Sequence, residues 1–276
     1  MSPKVVTGTV KTVTSLTNPL VKSLRALHLK KHRDETGLFL AEGLQLARYA
    51  IEADWKVETL VCAAGSLDDG AIADTAAQTK AAGGTVLQVP AAALAKIARR
   101  DNPQTVLGVF RQRFGSLAKV GGPHGGSGLW IALDRIRDPG NLGTIIRTAD
   151  AADAEGLILI GESCDPFSSE TVRATMGSIF HVPVARASEN DFIDHAKSTS
   201  ARLIGTHQTG AVDYRQADYR PPCVLVMGNE QKGLSDALAG ACDQLVRIPM
   251  AGRAESLNLA VATGLTIFEA RRGALA

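Results

Sequence analysis

Two rhythms of hydrophobic residues alternate along this 276-residue chain. Short apolar runs of strand length are separated by longer stretches in which apolar positions return every third or fourth residue, as on one face of a helix. Up to residue 114 the pattern predicts strands over 37–41, 57–62, 85–89 and 106–111, with helices over 43–53, 71–82 and 91–98 between them. Asn18-Pro19 marks the start of an earlier helix, on which Leu20, Leu24, Leu27 and Lys31 share one face while Lys22, Arg25 and Arg33 fall elsewhere. Strands alternating with helices in this way predict a small α/β sandwich.

Farther along, near-continuous apolar runs at 129–133, 156–160, 182–185, 202–206, 223–227 and 245–248 predict strands buried on both faces, hence a parallel sheet. Ligands of such sheets bind beyond the carboxyl ends of the strands, and three of these ends are rich in glycine and polar residues. Between the two regions, 115–128 (GSLAKVGGPHGGSG) holds six glycines and Pro123 and offers almost nothing to pack. It reads as a Gly-rich linker joining a domain over 1–114 to one over 129–276.

Composition narrows the function classes. With 45% hydrophobic and 21% charged residues, the chain has the make-up of a folded protein of about two domains. No apolar run approaches the roughly 18 residues of a membrane helix; even 257–268 is interrupted by Asn258, Thr263 and Thr266. Cys62, Cys164, Cys223 and Cys242 form no Cys-x-x-Cys pair and the six histidines no His-Glu-x-x-His, so neither a zinc site nor a disulfide framework is expected. A reducing, cytoplasmic location is expected.

The net charge of +2 hides an asymmetry: residues 1–114 carry 15 Lys and Arg against 10 Asp and Glu, the remainder 15 against 18. Before Asp34 stand seven basic residues (Lys4, Lys11, Lys22, Arg25, Lys30, Lys31, Arg33) and no acid. Such a block attracts phosphate, although a solvated helix face has the same composition. A transit peptide would also be acid-poor, but this block runs into a patterned helix and lacks an apolar signal core.

Three segments hold the candidate chemistry. In Asp134-Arg-Ile-Arg-Asp-Pro-Gly-Asn-Leu-Gly-Thr-Ile-Ile-Arg147, Pro139-Gly140 makes a turn and Asn141 is positioned to cap a helix whose buried stripe is Leu142, Ile145, Ile146 and Ala149. Arg147 lies off that stripe, and Gly143, one turn earlier on its face, leaves room for a ligand. Free amides at a helix start with an arginine one turn in suit a phosphate or a developing oxyanion. The strand over 223–227 ends in Gly228-Asn229-Glu230-Gln231-Lys232-Gly233, which is neither a Gly-x-Gly-x-x-Gly fingerprint nor a P-loop. In the third segment, Arg247 to Ala262, Ser256 is a natural N-cap and Asn258 falls in the first turn of a helix with Leu257, Val261, Leu265 and Phe268 on one face. Taken singly, each segment also reads as an ordinary capped helix or turn.

Together, DPGNLGTIIRTADAA, LVMGNEQKGL and RIPMAGRAESLNLAVA, in this order, resemble the signature motifs of the SpoU (TrmH-like) branch of the SPOUT RNA methyltransferases. The resemblance covers the chain downstream of the linker, with 173–183 resembling a further family segment, and SLTNPLVKSLRALHLKKHRDETGLFLAEG resembles the substrate-binding domain of ribosomal-RNA members. It implies a C-terminal trefoil-knotted parallel-sheet domain, homodimerisation through that domain, and S-adenosylmethionine as methyl donor. Carried over by position, the catalytic motif residues fall on Asn141, Arg147, Glu230, Ser256 and Asn258, and the cofactor contacts on Gly228, Ile248 and Leu257, with Thr206 at a looser position. Gln231 departs from the glycine that many members have there. The implied reaction is methylation of an RNA ribose 2′-hydroxyl without a metal. The separate N-terminal domain favours ribosomal over transfer RNA, with Lys22, Arg25, Lys30, Lys31 and Arg33 expected to meet phosphates. A non-catalytic ribosome-associated RNA-binding factor is the alternative in another class, and the intact Asn141, Arg147, Ser256 and Asn258 argue against it.

Overall fold

A computed structural model describes residues 8–121, 128–208 and 212–275. The chain forms two compact units. The first comprises the chain up to Gln112 together with Phe167–Phe180, and the second comprises Arg113–Pro166 and His181–Ala276.

In the first unit the elements run β1 (Thr9–Thr12), α1 (Pro19–Ala26), α2 (Lys30–Thr36), β2 (Leu38–Glu42), α3 (Leu44–Glu52), β3 (Thr59–Ala63), α4 (Gly70–Ala81), β4 (Thr85–Val89), α5 (Ala91–Ala98) and β5 (Val106–Arg111). The sheet order is β1-β4-β3-β5-β2, parallel across the first three strands and antiparallel at β5. Alternate strand residues Leu40, Val61, Leu87 and Val109 pack with Val21, Leu24, Leu94 and Ile97 on one face, the helices α1 and α5 covering it. The α/β sandwich is as the periodicity predicts. β1 was invisible to it because all four of its residues are exposed at the sheet edge.

One helix expected after Pro19 is two. Asn18 Oδ1 caps α1 by accepting from Leu20 N (2.9 Å), but the helix stops at Ala26 and α2 starts afresh at Lys30. The break is held from outside: Arg33 Nη1 donates to Leu27 O (2.8 Å) and His28 Nε2 to Ile97 O (2.7 Å). The buried face is accordingly Val21 and Leu24, while Leu20 is 41% exposed.

The inserted segment completes this unit's core. α7 (Ser169–Ala174) packs against β2, and Phe167 and Phe180 join Phe39, Trp55 and Phe110 in an aromatic cluster. The Phe39–Phe167 ring centroids lie 4.7 Å apart, and Trp55 Nε1 donates to Phe180 O (2.9 Å). A Cβ on Gly177 (φ +109°) would sit 2.6 Å from the Tyr49 ring, so the chain there closes directly on α3.

The second unit contains β6 (Leu129–Asp134), α6 (Pro139–Ala151), β7 (Gly156–Ile160), β8 (Val184–Ala187), α8 (Glu189–Ser198), β9 (Arg202–Thr206), β10 (Val212–Asp213), β11 (Cys223–Met227), α9 (Asp236–Ala241), β12 (Gln244–Arg247) and α10 (Leu259–Arg271). All seven strands are parallel, in the order β10-β12-β9-β11-β6-β7-β8. The strand expected over 182–185 begins two residues later, and β10, a two-residue pairing with β12, gave no periodic signal. Of the glycine-rich segment 115–128, Leu117–Lys119 form a 3₁₀ turn, Val120 is buried in the core and Gly115 N bonds to Val184 O (2.9 Å). The rest of that expected linker, 122–127, lies outside the described residues.

Candidate active site

Strands β9, β11 and β12 are neighbours, and their carboxyl ends open into one cavity of about 980 Å³. Thr206, Gly228, Ile248 and Leu257 line it, together with Asn141, Glu230, Ser256 and Asn258. Residues distributed widely along the sequence thus share one wall because parallel strands deliver all their carboxyl ends to the same edge.

The loop after β11 is closed by backbone bonds. Asn229 N donates to Gly233 O (3.0 Å) and Gly233 N to Asn229 O (2.9 Å). A Cβ at Gly228 would lie 2.4 Å from the backbone of Gly233 and Leu234, so only glycine fits where the loop doubles back. Asn229 Oδ1 accepts from Gln231 N (3.0 Å) and Lys232 N (3.2 Å), and its Nδ2 donates to Arg135 O (2.8 Å). Arg135, at φ +48°, forks onto the carboxylate of the buried Asp134 (2.8 and 2.7 Å). The loops after β6 and β11 are thereby strapped together, placing Glu230 exposed at the rim. Sequence reading overlooked Asn229 and Arg135; an Asx turn after a strand was the available signal for the first.

Two helices begin at this cavity. The N-cap of α6 is Asp138, whose Oδ1 accepts from Asn141 N (2.6 Å), so Asn141 lies inside the first turn rather than capping it. The N-cap of α10 is Asn258, not Ser256: Asn258 Oδ1 accepts from Ala260 N (2.9 Å) and Val261 N (3.3 Å). Ser256 is exposed in the preceding loop, where its hydroxyl has no partner among the described residues. Asn258 Nδ2 also donates to Asn141 Oδ1 (2.9 Å), joining the two helix starts. Arg271 Nε donates to Ala152 O (3.0 Å) at the other ends, so α6 and α10 run parallel and both direct their positive dipole ends at the cavity.

Of the other expected residues, some lie as the periodicity predicts and some do not. Leu142, Ile145, Ile146 and Ala149 form the buried stripe of α6, and Arg147 is exposed off it with no partner among the described residues. Arg147 does not line the cavity, and Gly143 is buried rather than opening space for a ligand. On α10 the stripe of Val261, Leu265 and Phe268 points outward; the buried face is Leu259, Ala260, Thr263, Thr266 and Ile267. Thr263 and Thr266 tolerate burial because their hydroxyls donate to Leu259 O (2.7 Å) and Ala262 O (2.9 Å). Lys22, Arg25, Lys30 and Lys31 are exposed on the first unit, Lys30 paired with Asp34 (2.5 Å) and Lys31 with Glu35 (3.9 Å). Arg33 does not belong with them: it is 3% exposed and serves the Leu27 carbonyl.

Burial, with Glu230 and Asp138 nearby, pushes the Cys164 thiol up to about 12, so it is no nucleophile at neutral pH. Among the described residues all four cysteines are free and no cluster of three or more metal-ligating side chains occurs. No described helix is long and apolar enough to cross a membrane.

The cavity fits a cofactor of S-adenosylmethionine's kind. Its volume is at the upper end of the roughly 300–1,000 Å³ range of small-molecule sites. Apolar Met227, Ile248 and Leu257 stand beside loop backbone and the Thr206 hydroxyl, the mixed surface that an adenosine joined to an amino acid requires.

The SpoU rRNA Methylase family matches residues 128–268, and an MRM3-like substrate binding domain matches 18–108. The crystal structure of an AdoMet-bound rRNA methyltransferase from Sinorhizobium meliloti superposes with a TM-score of 0.90 at 54% identity, over 97% of this chain and 99% of that one. The 23S rRNA (guanosine(2553)-2′-O)-methyltransferase of Bacillus subtilis (strain 168) is 29% identical over 95% of this chain and 100% of its own length. The 23S rRNA (uridine(2479)-2′-O)-methyltransferase of Streptomyces viridochromogenes is 33% identical over 88% and 85%.

Proposed function

We propose that this chain, which belongs to the SpoU rRNA Methylase family, transfers a methyl group from S-adenosylmethionine to a ribose 2′-hydroxyl of RNA, ribosomal RNA being favoured over transfer RNA. The observation that supports the reading is that Asn141, Glu230, Ser256 and Asn258 line, with Thr206, Gly228, Ile248 and Leu257, one cavity of cofactor size at the carboxyl ends of three parallel strands.

S-adenosylmethionine supplies, when bound, a methyl group activated by its sulfonium. Thr206, Gly228, Ile248 and Leu257 would hold it, Gly228 by allowing the loop to double back at the cavity wall. The ribose hydroxyl is a poor nucleophile, so the protein must position it and stabilise negative charge growing on its oxygen. Arg147 suits the second task as an electrostatic stabiliser and phosphate anchor; a guanidinium stays protonated and is no general base. Because Arg147 stands outside the cavity wall, the reacting hydroxyl must reach it on extended RNA or across a second copy of the chain. Ser256 and Glu230, exposed at the rim, would contact the nucleotide. Gln231 lies in the loop closed by Asn229 and Gly233 and lines the cavity.

Further proposals rest on this membership. Residues 129–276 perform the transfer on a trefoil-knotted chain path, while residues 1–114 recruit RNA through Lys22, Arg25, Lys30 and Lys31 in the cytoplasm. The protein works as a homodimer through the second unit. What favours the dimer is the outward stripe of α10, where Val261 and Phe268 are 52% and 47% exposed although the helix buries threonines on its other side. Substituting Phe268→Glu is expected to give monomers in analytical ultracentrifugation.

The direct test is transfer of labelled methyl to ribosomal and transfer RNA by the purified protein, with 2′-O-methyl positions mapped in cells with and without it. Absence of S-adenosylmethionine-dependent label in every RNA and ribosomal subunit offered would overturn the reading.

A further inference from the structure

We propose that Asn258 works through Asn141: it fixes the Asn141 amide so that the NH₂ group, and not the carbonyl oxygen, is left to face the cavity. The inference rests on the methyl-transfer reading for what that NH₂ group meets, but not for its orientation.

The deduction starts from groups that cannot be reversed. The backbone N–H groups of Ala260 and Val261 can only donate, so the Asn258 atom they meet is its oxygen. Asn258 Nδ2 therefore points away from the helix, where it lies 2.9 Å from the side chain of Asn141. An amide NH₂ also only donates, so the Asn141 atom facing it is the carbonyl oxygen. Two amides that would otherwise be free to turn over are thus ordered in series by the first turn of α10. The remaining end of Asn141, its Nδ2, has no partner among the described residues, and Asn141 lines the cavity.

The consequence is chemical. Two N–H donors are presented where the positive ends of α6 and α10 converge, a setting that favours an oxygen acceptor carrying partial or full negative charge. In an RNA substrate that acceptor is a ribose or phosphate oxygen. Turning the amide over would put a carbonyl oxygen there and repel the same group. Asn258 itself has its oxygen engaged by the cap and one N–H by Asn141, which makes it a positioning residue, with Asn141 as the contact.

Asn258→Asp separates these roles. Aspartate is as good an N-cap as asparagine, so the helix start is kept. Having no N–H, it can only accept from Asn141, whose amide must then turn its NH₂ toward Asp and its oxygen toward the cavity. Expected are an unchanged unfolding midpoint, a shift of the Asn141 side-chain NH₂ resonances in a ¹⁵N spectrum, and a fall in kcat of about tenfold or more, the scale of one hydrogen bond reversed at the site. In an Asn141→Ala background, Asn258→Asp is expected to cost nothing further. Asn258→Ser, which caps but neither donates to nor accepts from Asn141 at that reach, is expected to give a smaller loss and serves if the aspartate variant is unstable. Equal losses in the presence and absence of the Asn141 side chain would overturn the proposal, as would Asn141 resonances that ignore the substitution. A wild-type protein that methylates no RNA would instead overturn the methyl-transfer reading, and the NMR arm would still decide the orientation.

Discussion

The polar side chains that hold the inserted segment in the first unit and those left open around the cavity in the second differ in how they are satisfied. In the first, they close on one another: His28 donates to Ile97 O and its other ring nitrogen accepts from Ser169, while Glu42 takes Arg100, Arg173 and the Gln104 amide. Arg33, although part of the basic block, is spent on a carbonyl of its own unit. In the second, Arg147 and Ser256 make no hydrogen bond among the described residues, and Asn141 engages only one end of its amide. Polar groups satisfied internally hold an inserted segment in place; polar groups left open at strand ends are available to a ligand. Charge alone did not separate the two kinds, whereas partners do.

The contrast can be broken most forcefully at Phe167, which is 1% exposed and packs on Phe39. Phe167→Ala is expected to destabilise the first unit by about 3–5 kcal/mol through the cavity it leaves. Denaturant unfolding followed at Trp55 measures this, and calorimetry is expected to find S-adenosylmethionine binding to the second unit intact below the unfolding transition. Cofactor binding that disappears in parallel with the Trp55 signal would show that the units do not divide the work as argued.

Arg147→Ala tests the opposite pole. Transfer is expected to fall by more than a hundredfold, about 3 kcal/mol at the transition state, with no change in unfolding midpoint because the side chain is exposed and off the buried stripe. Arg147→Lys is expected to fail as well, since an ammonium lacks the planar fork. Near wild-type turnover in single-turnover assays would remove Arg147 from the mechanism.

A finer test separates cations within the first unit. Replacing Lys22, Arg25 and Lys31 by alanine is expected to flatten the salt dependence of RNA binding by up to roughly two units, at about 0.7 for each phosphate no longer neutralised. Arg33→Ala is expected to lower stability and leave that slope as it was. The same slope in the triple variant would make the block a solvated helix face.

The smallest expected effect is at His28. Burial above all, with Arg99, Arg33 and Arg173 adding to it against the opposing bond to Ile97, holds its pKa below the ordinary 6.5. The unfolded chain then takes up a proton more readily than the folded one, so this contribution is present above pH 6.5 and is lost as pH falls through the lower folded value. His28→Gln is expected to make the unfolding midpoint of the first unit less dependent on pH as pH falls below 6.5, as read by thermal denaturation.

Much of this was legible in the sequence. Apolar runs assigned most strands and helices their type, and parallel pairing in the second unit followed from strands apolar on both faces. The glycine-rich ends of β11 and β12 and the start of α6 announced the cavity because a loop's composition is local. What periodicity establishes is that a helix has two faces; which one is covered depends on what arrives from elsewhere in the chain. That is why the apolar stripe of α10 turned out to face outward, why Arg33 left the basic block, and why Phe167–Phe180 belongs to the unit it is remote from in sequence. Asn258 shows the same division at a single residue: its type marks it as a cap, but only the approach of α6 beside α10 gives its second amide group the Asn141 oxygen to hold.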